Sequence, residues 1–224
     1  MKTINDYRIW ENPDKCEVKI TQTEKLKEAK WIKTENISYE IDWVPAENSW
    51  EKVVRTTANW VVAVLPVTKE WNIILTQEMR IPMISEDYNG SVIWMPAWLV
   101  DDNENKIEAT KREMQEEIWF ESEQVEYIDS IVSSEGMTDE EIDVFIALNV
   151  TQVDKILDED FKNIDWFFLK HIWWENIKSI YSVPYKEIYD FMDMARKEWM
   201  KKGWKIDCAL NHFERKFKDK VFSN

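Results

Sequence analysis

The sequence predicts an α/β fold of the α+β type, in which a small antiparallel sheet precedes an α/β/α sandwich built on a mixed sheet. Residues 1–57 contain short runs in which apolar and polar residues alternate, as in strands with one buried face. From Ala58 the runs become longer and more apolar, and a few helical patterns occur among them. We therefore expect two domains, an N-terminal β subdomain at 1–57 and a second domain at 58–224.

Four alternating segments predict the strands of the N-terminal subdomain. They are Glu17–Ile20, Trp31–Thr34, Ile37–Ile41 and Trp50–Thr57. A sheet this small needs another body to pack against, since few strands bury too little apolar surface alone. Either the rest of the chain or a second copy would serve.

Five longer segments predict the strands of the second domain, with a turn at Thr68–Trp71 and an acidic loop at Glu135–Glu141. The segments are Trp60–Val67, Asn72–Gln77, Ser91–Met95, Gln124–Ser133 and Ile142–Val150. Two helices are expected near the end of the chain. The first has Pro184 in its first turn, carries an apolar stripe including Ile188 and Ala195, and runs to about Met200. The second contains Leu210, Phe213 and Phe217.

A further helix is predicted after Asn105, which can cap its first turn, with Glu108 three residues later completing a capping box. Apolar or small residues then recur at helical spacing and predict one buried seam. They are Ile107, Thr110, Met114 and Ile118.

Three carboxylates, those of Glu113, Glu116 and Glu117, fall together on an adjoining face of this helix. Like charges four residues apart destabilise a helix by about 0.2–0.5 kcal/mol, and a bound cation would remove that repulsion. Mg²⁺ prefers such oxygen ligands and shares them with substrate phosphates. In a chain with 33% charged residues an isolated Glu-Glu pair usually marks a solvated face, but the spacing of the whole segment favours a metal site.

Composition narrows the possible partners and locations. The formal net charge of −15 argues against nucleic acid, whose binding depends on clustered Lys and Arg. The longest apolar run, Trp60–Val67, is too short to span a bilayer, and the amino terminus has no apolar signal core. Cys16 and Cys208 have no zinc or disulfide spacing. We therefore expect a cytoplasmic protein that binds neither membranes nor nucleic acid.

The segment Trp98–Phe120 resembles the Nudix box. Its charged and apolar positions match Glu104, Arg112-Glu113-Met114, Glu116-Glu117 and Phe120, whereas Trp98 and Trp119 stand at the two glycine positions of that motif. The resemblance implies a magnesium-dependent hydrolase of nucleoside diphosphates linked to another group.

Beyond the box, the sequence is similar to the ADP-ribose pyrophosphatase branch of the Nudix hydrolases. The matching segments are Trp31-Ile-Lys, Trp50–Thr57, Gln77–Pro82, Pro96-Ala97, Val183-Pro184 and Lys205–Asp207. This resemblance implies a homodimer that exchanges its N-terminal sheets, with Trp31 and Trp50 stacking on adenine or, alternatively, only packing the sheet. It also implies that Arg55 and Arg80 reach the substrate, where a guanidinium can bond two diphosphate oxygens at once.

The resemblance further assigns the metal ligands and the reaction. The ligands are the backbone carbonyl of Ala97 and the carboxylates of Glu113, Glu116 and Glu117, for Mg²⁺ or alternatively Mn²⁺. A metal-activated water would split ADP-ribose into AMP and ribose 5-phosphate.

Two late loops offer a general base, and Glu175 is preferred to Glu140. Arg112 would orient a carboxylate. Trp94 departs from the family, whose members usually have glutamate at that position. The alternatives are a Nudix hydrolase of another nucleotide sugar and a Nudix-like module that binds a nucleotide without cleaving it.

The glycine and tryptophan contents are both unusual. The chain has 3 glycines and 14 tryptophans, whereas an average chain of 224 residues would have about 16 glycines. Several tryptophans, including Trp71, Trp98 and Trp119, fall in predicted turns or at box glycines. A codon UGA that the source reads as glycine and that was translated as tryptophan would explain both counts. Trp31 and Trp50, which match family tryptophans, are excepted.

Overall fold

The computed structural model describes residues 18–56, 60–101, 103–153 and 177–222, which contain thirteen strands and three α-helices. They divide into two compact units. The first consists of the described residues up to 56 together with Ser133–Glu140, and the second contains the remaining described residues. The predicted domain boundary at residue 57 lies outside the described residues.

The first unit is an antiparallel sheet centred on β2. Its strands are β1 (Val18–Glu28), β2 (Ile32–Ile41), β3 (Val44–Pro45) and β4 (Trp50–Arg55). Strand β2 pairs with each of the other three.

The prediction of two separate strands within Trp31–Ile41 was wrong, because β2 runs without a break through Glu35 and Asn36. Glu35 lies opposite Lys52, and its carboxylate contacts Lys33 Nζ at 2.6 Å and Lys52 Nζ at 3.6 Å. One ion pair within β2 and one between β2 and β4 thus hold a polar segment in the sheet.

The second unit contains a nine-stranded mixed sheet and all three helices. Its strands are β5 (Val61–Thr68), β6 (Asn72–Met79), β7 (Ser91–Trp94), β8 (Ala97–Leu99), β9 (Phe120–Glu121), β10 (Gln124–Val132), β11 (Glu141–Gln152), β12 (Ile177–Pro184) and β13 (Lys201–Lys202). The main order is β10-β11-β5-β6-β7-β13, with β8 on β5, β9 on β11 and β12 on β6. The pairs β11–β5 and β13–β7 are parallel and the others antiparallel.

The helices are α1 (Lys106–Ile118), α2 (Ile188–Lys197) and α3 (Lys205–Phe222). Strand β5 contributes side chains to two separate hydrophobic cores, because its side chains alternate between the two faces of the sheet. Ala63 and Leu65 join a cluster with residues of α2 and α3, whereas Val62 and Val64 join a cluster with residues of α1. The predicted α/β/α sandwich with a mixed sheet, preceded by a small antiparallel sheet, is therefore confirmed.

Two expectations about the late helices were wrong. Pro184 ends β12, where it lies opposite Asn72, and a 3-10 turn at Tyr185–Glu187 separates it from α2. Helix α2 ends at Lys197, before the predicted end near Met200. Within the described ranges, no helix has both the length and the apolar composition needed to cross a bilayer.

Candidate active site

Helix α1 begins as its sequence predicts. The side chain of Asn105 accepts a hydrogen bond from the backbone N–H of Ile107 at 2.9 Å, which satisfies one of the unpaired donors of the first turn. Thr110, Met114 and Ile118 are buried, so most of the predicted seam is confirmed. Ile107 is the exception, at 38% exposure. It lies in the first turn, one turn before the packed part of the helix.

Arg112 gathers the acidic side chains around this helix. Its Nε and Nη2 each donate to one oxygen of Glu104, both at 2.9 Å, which is the two-pronged geometry of a guanidinium on a carboxylate. Its Nη1 donates to Glu113 at 2.7 Å and to Glu116 at 3.0 Å. One cation thus holds three carboxylates, two of them predicted metal ligands.

These contacts change the proton affinities of the groups involved. The hydrogen bond from Arg112 lowers the pKa of Glu104, and the carboxylate of Glu104 raises the pKa of Arg112. Burial raises the pKa of Glu113, and the neighbouring Arg112 opposes that effect. Arg112 therefore favours the ionised form of Glu104 and opposes the effect of burial on Glu113.

Glu117 differs from its neighbours because its Oε1 atom is buried and has no hydrogen-bond partner. A buried carboxylate oxygen without a donor is costly, and a hard cation is the kind of partner that such an oxygen suits. Within the described ranges, no three metal-binding side chains converge on one point. The fit of these residues to a divalent ion rests on this one unsatisfied oxygen.

Ala97 and Trp98 lie in β8, which pairs with β5 just before α1. Trp98 is buried, and its indole Nε1 also lacks a hydrogen-bond partner. Trp119 follows α1 directly and is left-handed, with φ 59° and ψ 35°, as expected for the end of this helix.

Arg80 lies in a second polar group of this unit, at the end of β6. Its Nη1 contacts Glu78 at 3.2 Å, and its guanidinium lies 5.3 Å from the ring centroid of Trp94. Lys205 Nζ lies 4.4 Å from the same ring. Burial raises the pKa of Glu78, whose carboxylate also accepts a hydrogen bond from Thr76 Oγ1 at 2.9 Å. Glu78 was not identified from the sequence. The only feature that could have identified it is the presence of an acidic residue in an otherwise apolar strand.

In the first unit, the loop Ser133–Glu140 is attached to β4. The Met137 carbonyl accepts from Val53 N–H at 2.8 Å, Lys52 Nζ contacts Asp139 at 2.7 Å, and Arg55 Nε forms an ion pair with Glu140. Two predicted site residues, Arg55 and Glu140, are therefore bonded to each other. Their separation of 85 residues gave no sequence signal for this contact.

The two predicted adenine-stacking residues also lie in the first unit. Trp31 is 57% exposed and Trp50 is 54% exposed, and Trp50 Nε1 donates to the Gly136 carbonyl at 3.2 Å. Glu175, the preferred general base, lies outside the described residues.

Comparison with known proteins identifies relatives across several organisms. The chain is 31% identical over 147 residues to a methanol dehydrogenase activator of Bacillus methanolicus, covering 61% of this chain and 76% of that protein. It is 32% identical over 101 residues to an ADP-ribose pyrophosphatase of Bacillus subtilis (strain 168), covering 44% and 52%. It is 28% identical over 127 residues to an ADP-sugar pyrophosphatase of Mus musculus, covering 53% and 56%. The chain thus spans about half the length of the two pyrophosphatases. No protein-family model matches it.

A crystal structure of an ADP compounds hydrolase has the same fold, with a TM-score of 0.64 at 14% identity over 94% of this chain and 98% of that one. The class indicated by the two pyrophosphatase relatives is that of hydrolases acting on diphosphate bonds. The chain belongs to the Nudix hydrolase family, in its ADP-ribose pyrophosphatase branch.

Proposed function

We propose that this protein hydrolyses the diphosphate of ADP-ribose to AMP and ribose 5-phosphate with the help of Mg²⁺ or Mn²⁺. The observation that carries the proposal is the buried, unpartnered Oε1 of Glu117 beside Glu113 and Glu116, which Arg112 holds. This oxygen supports a divalent-ion site, because a buried carboxylate oxygen without a donor is costly and a hard cation satisfies it.

The residues divide the work by their chemistry. Glu113, Glu116, Glu117 and the carbonyl of Ala97 would hold the ion, and Arg112 would keep Glu113 and Glu116 in place. When bound, the ion lowers the pKa of a water and neutralises charge on the diphosphate. Glu175 would accept the proton of the attacking water, with Glu140 as the alternative base.

Arg55 and Arg80 would bind the diphosphate through their two-pronged guanidinium groups. Trp31 and Trp50, whose rings are exposed, would stack on adenine, which is worth about 1–3 kcal/mol per base in nucleic-acid binders. The working form would be a homodimer in which the exposed sheet of the first unit meets a second copy.

Two alternatives have specific support. The ADP-sugar pyrophosphatase relative favours a Nudix hydrolase with another nucleotide sugar as its substrate. Trp98 and Trp119, at the two box glycines, favour a module that binds without cleavage, whereas retention of all three box glutamates opposes that function.

A substrate panel tests the proposal. Purified protein is incubated with ADP-ribose, ADP-glucose and UDP-glucose, each with Mg²⁺ or with EDTA, and nucleoside monophosphate is measured by chromatography. The expected result is AMP from ADP-ribose, at the highest rate of the three and only with Mg²⁺. Preference for a glucose nucleotide would favour the first alternative, and tight binding of ADP-ribose without AMP release would favour the second.

A further inference from the structure

Seven described non-glycine residues have backbone φ angles in the left-handed region. They are Asp42 (50°), Trp43 (67°), Trp71 (64°), Asn103 (68°), Trp119 (59°), Asn149 (53°) and Trp199 (61°). Asp and Asn tolerate this region because their short polar side chains bond locally, but bulky side chains are genuine outliers there. Every described outlier that is not Asp or Asn is tryptophan, a residue type with no such tolerance.

Trp43 occupies a hairpin position that glycine normally fills. Ile41 pairs with Val44, so Asp42 and Trp43 alone form the loop between β2 and β3, and both have positive φ. A two-residue loop with two positive φ angles is a type I′ turn, for which Asp-Gly is a preferred sequence. The chain supplies the Asp and has tryptophan in place of the glycine.

Trp199 occupies the left-handed position of a Schellman motif after α2. Its N–H bonds the Arg196 carbonyl at 3.1 Å, and the N–H of Met200 bonds the Ala195 carbonyl at 3.0 Å. These two bonds define the motif, whose left-handed residue is usually glycine. Trp199 is 77% exposed, so no packing of its ring explains the choice of residue.

Trp119 and Trp71 occupy two further positions of the same kind. Trp119 caps the C-terminus of α1, with its N–H bonded to the Met114 carbonyl. Trp71 closes the turn between β5 and β6, with its N–H bonded to the Thr68 carbonyl at 3.1 Å. Both positions demand a left-handed backbone that glycine adopts without steric conflict.

We infer that residues 43, 71, 119 and 199 are glycine in the protein as its source organism makes it, because the organism reads a codon as glycine that the sequence renders as tryptophan. The backbone at four separate turns and the count of 3 glycines against 14 tryptophans lead to the same conclusion. UGA is the codon concerned, because its meaning differs among genetic codes, whereas UGG encodes tryptophan. Trp31 and Trp50 have no positive φ, so the backbone gives no reason to replace them.

The gene and the native protein provide the direct test. The gene should have UGA at positions 43, 71, 119 and 199 and UGG at 31 and 50. Peptides of the native protein that span the four positions should be lighter than calculated by the Trp-to-Gly mass difference, whereas peptides spanning 31 and 50 should have the calculated mass. UGG at the four positions, or native peptides containing tryptophan there, would overturn the inference.

Recombinant variants test the backbone argument separately. Trp199→Gly and Trp43→Gly should each melt roughly 2–4 °C higher than the matched Trp199→Ala and Trp43→Ala variants, because alanine keeps the Cβ that conflicts with positive φ. Trp60, which is 47% exposed and has no positive φ, provides the control, and there glycine should be no better than alanine. Equal melting temperatures for Gly and Ala at both 43 and 199 would contradict the inference.

Discussion

At the scale of single residues, the site depends on which carboxylates already have partners. Arg112 contacts Glu104, Glu113 and Glu116, whereas one oxygen of Glu117 is buried alone. Neutralising Glu117 should therefore affect ion binding with little effect on the contacts that hold the turn together.

Glu117→Gln should abolish turnover of ADP-ribose while leaving the fold intact. Without metal, its thermal stability should be unchanged or slightly higher, because the variant loses a like-charge repulsion with Glu113 of about 0.2–0.5 kcal/mol. Activity assays and thermal melts in EDTA provide the measurement, with Glu108→Gln in the exposed first turn as the matched control. Turnover near the parental rate would show that Glu117 is not a metal ligand.

Glu78 should make stability depend on pH. Burial raises its pKa in the folded protein above the usual 4.5, so its contribution is fully present below pH 4.5 and is lost as pH rises through the folded pKa. Glu78→Gln does not titrate, and its stability relative to the parent should therefore increase between about pH 4.5 and neutrality. Urea unfolding of both proteins across that range measures the difference. The exposed Glu86→Gln provides the control, and a pH-independent difference for Glu78→Gln would contradict the assignment.

At the scale of helices and strands, the elements set by neighbouring residues were predicted better than those that depend on distant residues. Helix α1 was predictable because Asn105 and the seam from Thr110 to Ile118 act within a few residues of one another. Continuity of β2 through Glu35 could not be predicted, since it depends on Lys52 in another strand. Strands β8, β9 and β13 have two or three residues each and exist only through their pairing, which no local pattern reports.

The loop Ser133–Glu140 and the segment containing Glu175 are the two candidates for supplying the base. Glu175→Gln should lower the rate by about 10²–10⁴-fold without weakening Mg²⁺ binding, because a positioned base typically contributes that much. Glu140→Gln should have a smaller effect, through loss of its ion pair with Arg55. Steady-state kinetics and Mg²⁺ titration of both variants decide between them, and the reverse order of effects would place the base in the loop Ser133–Glu140.

At the scale of the whole molecule, the sequence indicated the sandwich and the acidic helix turn but not every contact of the site. The strand and helix patterns are periodic, and periodicity is a property of the sequence. The bond between Arg55 and Glu140 and the group formed by Arg80, Glu78 and Trp94 arise only when distant segments meet. Charge and spacing identified the acids of α1, but not which of them lacks a partner.

The sheet of the first unit exposes several large apolar side chains, and Ile41 at 40% and Val44 at 65% are paired neighbours on one face. Exposed apolar side chains of this kind are typical of an interaction surface, and we expect a second copy to cover them. Light scattering should give twice the chain mass of 27.1 kDa for the parent and a lower mass for Val44→Lys. Met194→Lys, on an exposed position of α2, should remain dimeric. A monomeric parent would refute the expected dimer.

Arg112 also affects how the protein folds in the absence of a bound ion. Its single positive charge contacts Glu104, Glu113 and Glu116, so most of the acidic turn has an internal counter-ion. Arg112 therefore relieves the electrostatic repulsion among these acids. The newly synthesised chain can form α1 without a bound ion. The divalent ion proposed above would then exchange in and out of a folded protein, and its loss would stop turnover reversibly without unfolding the chain.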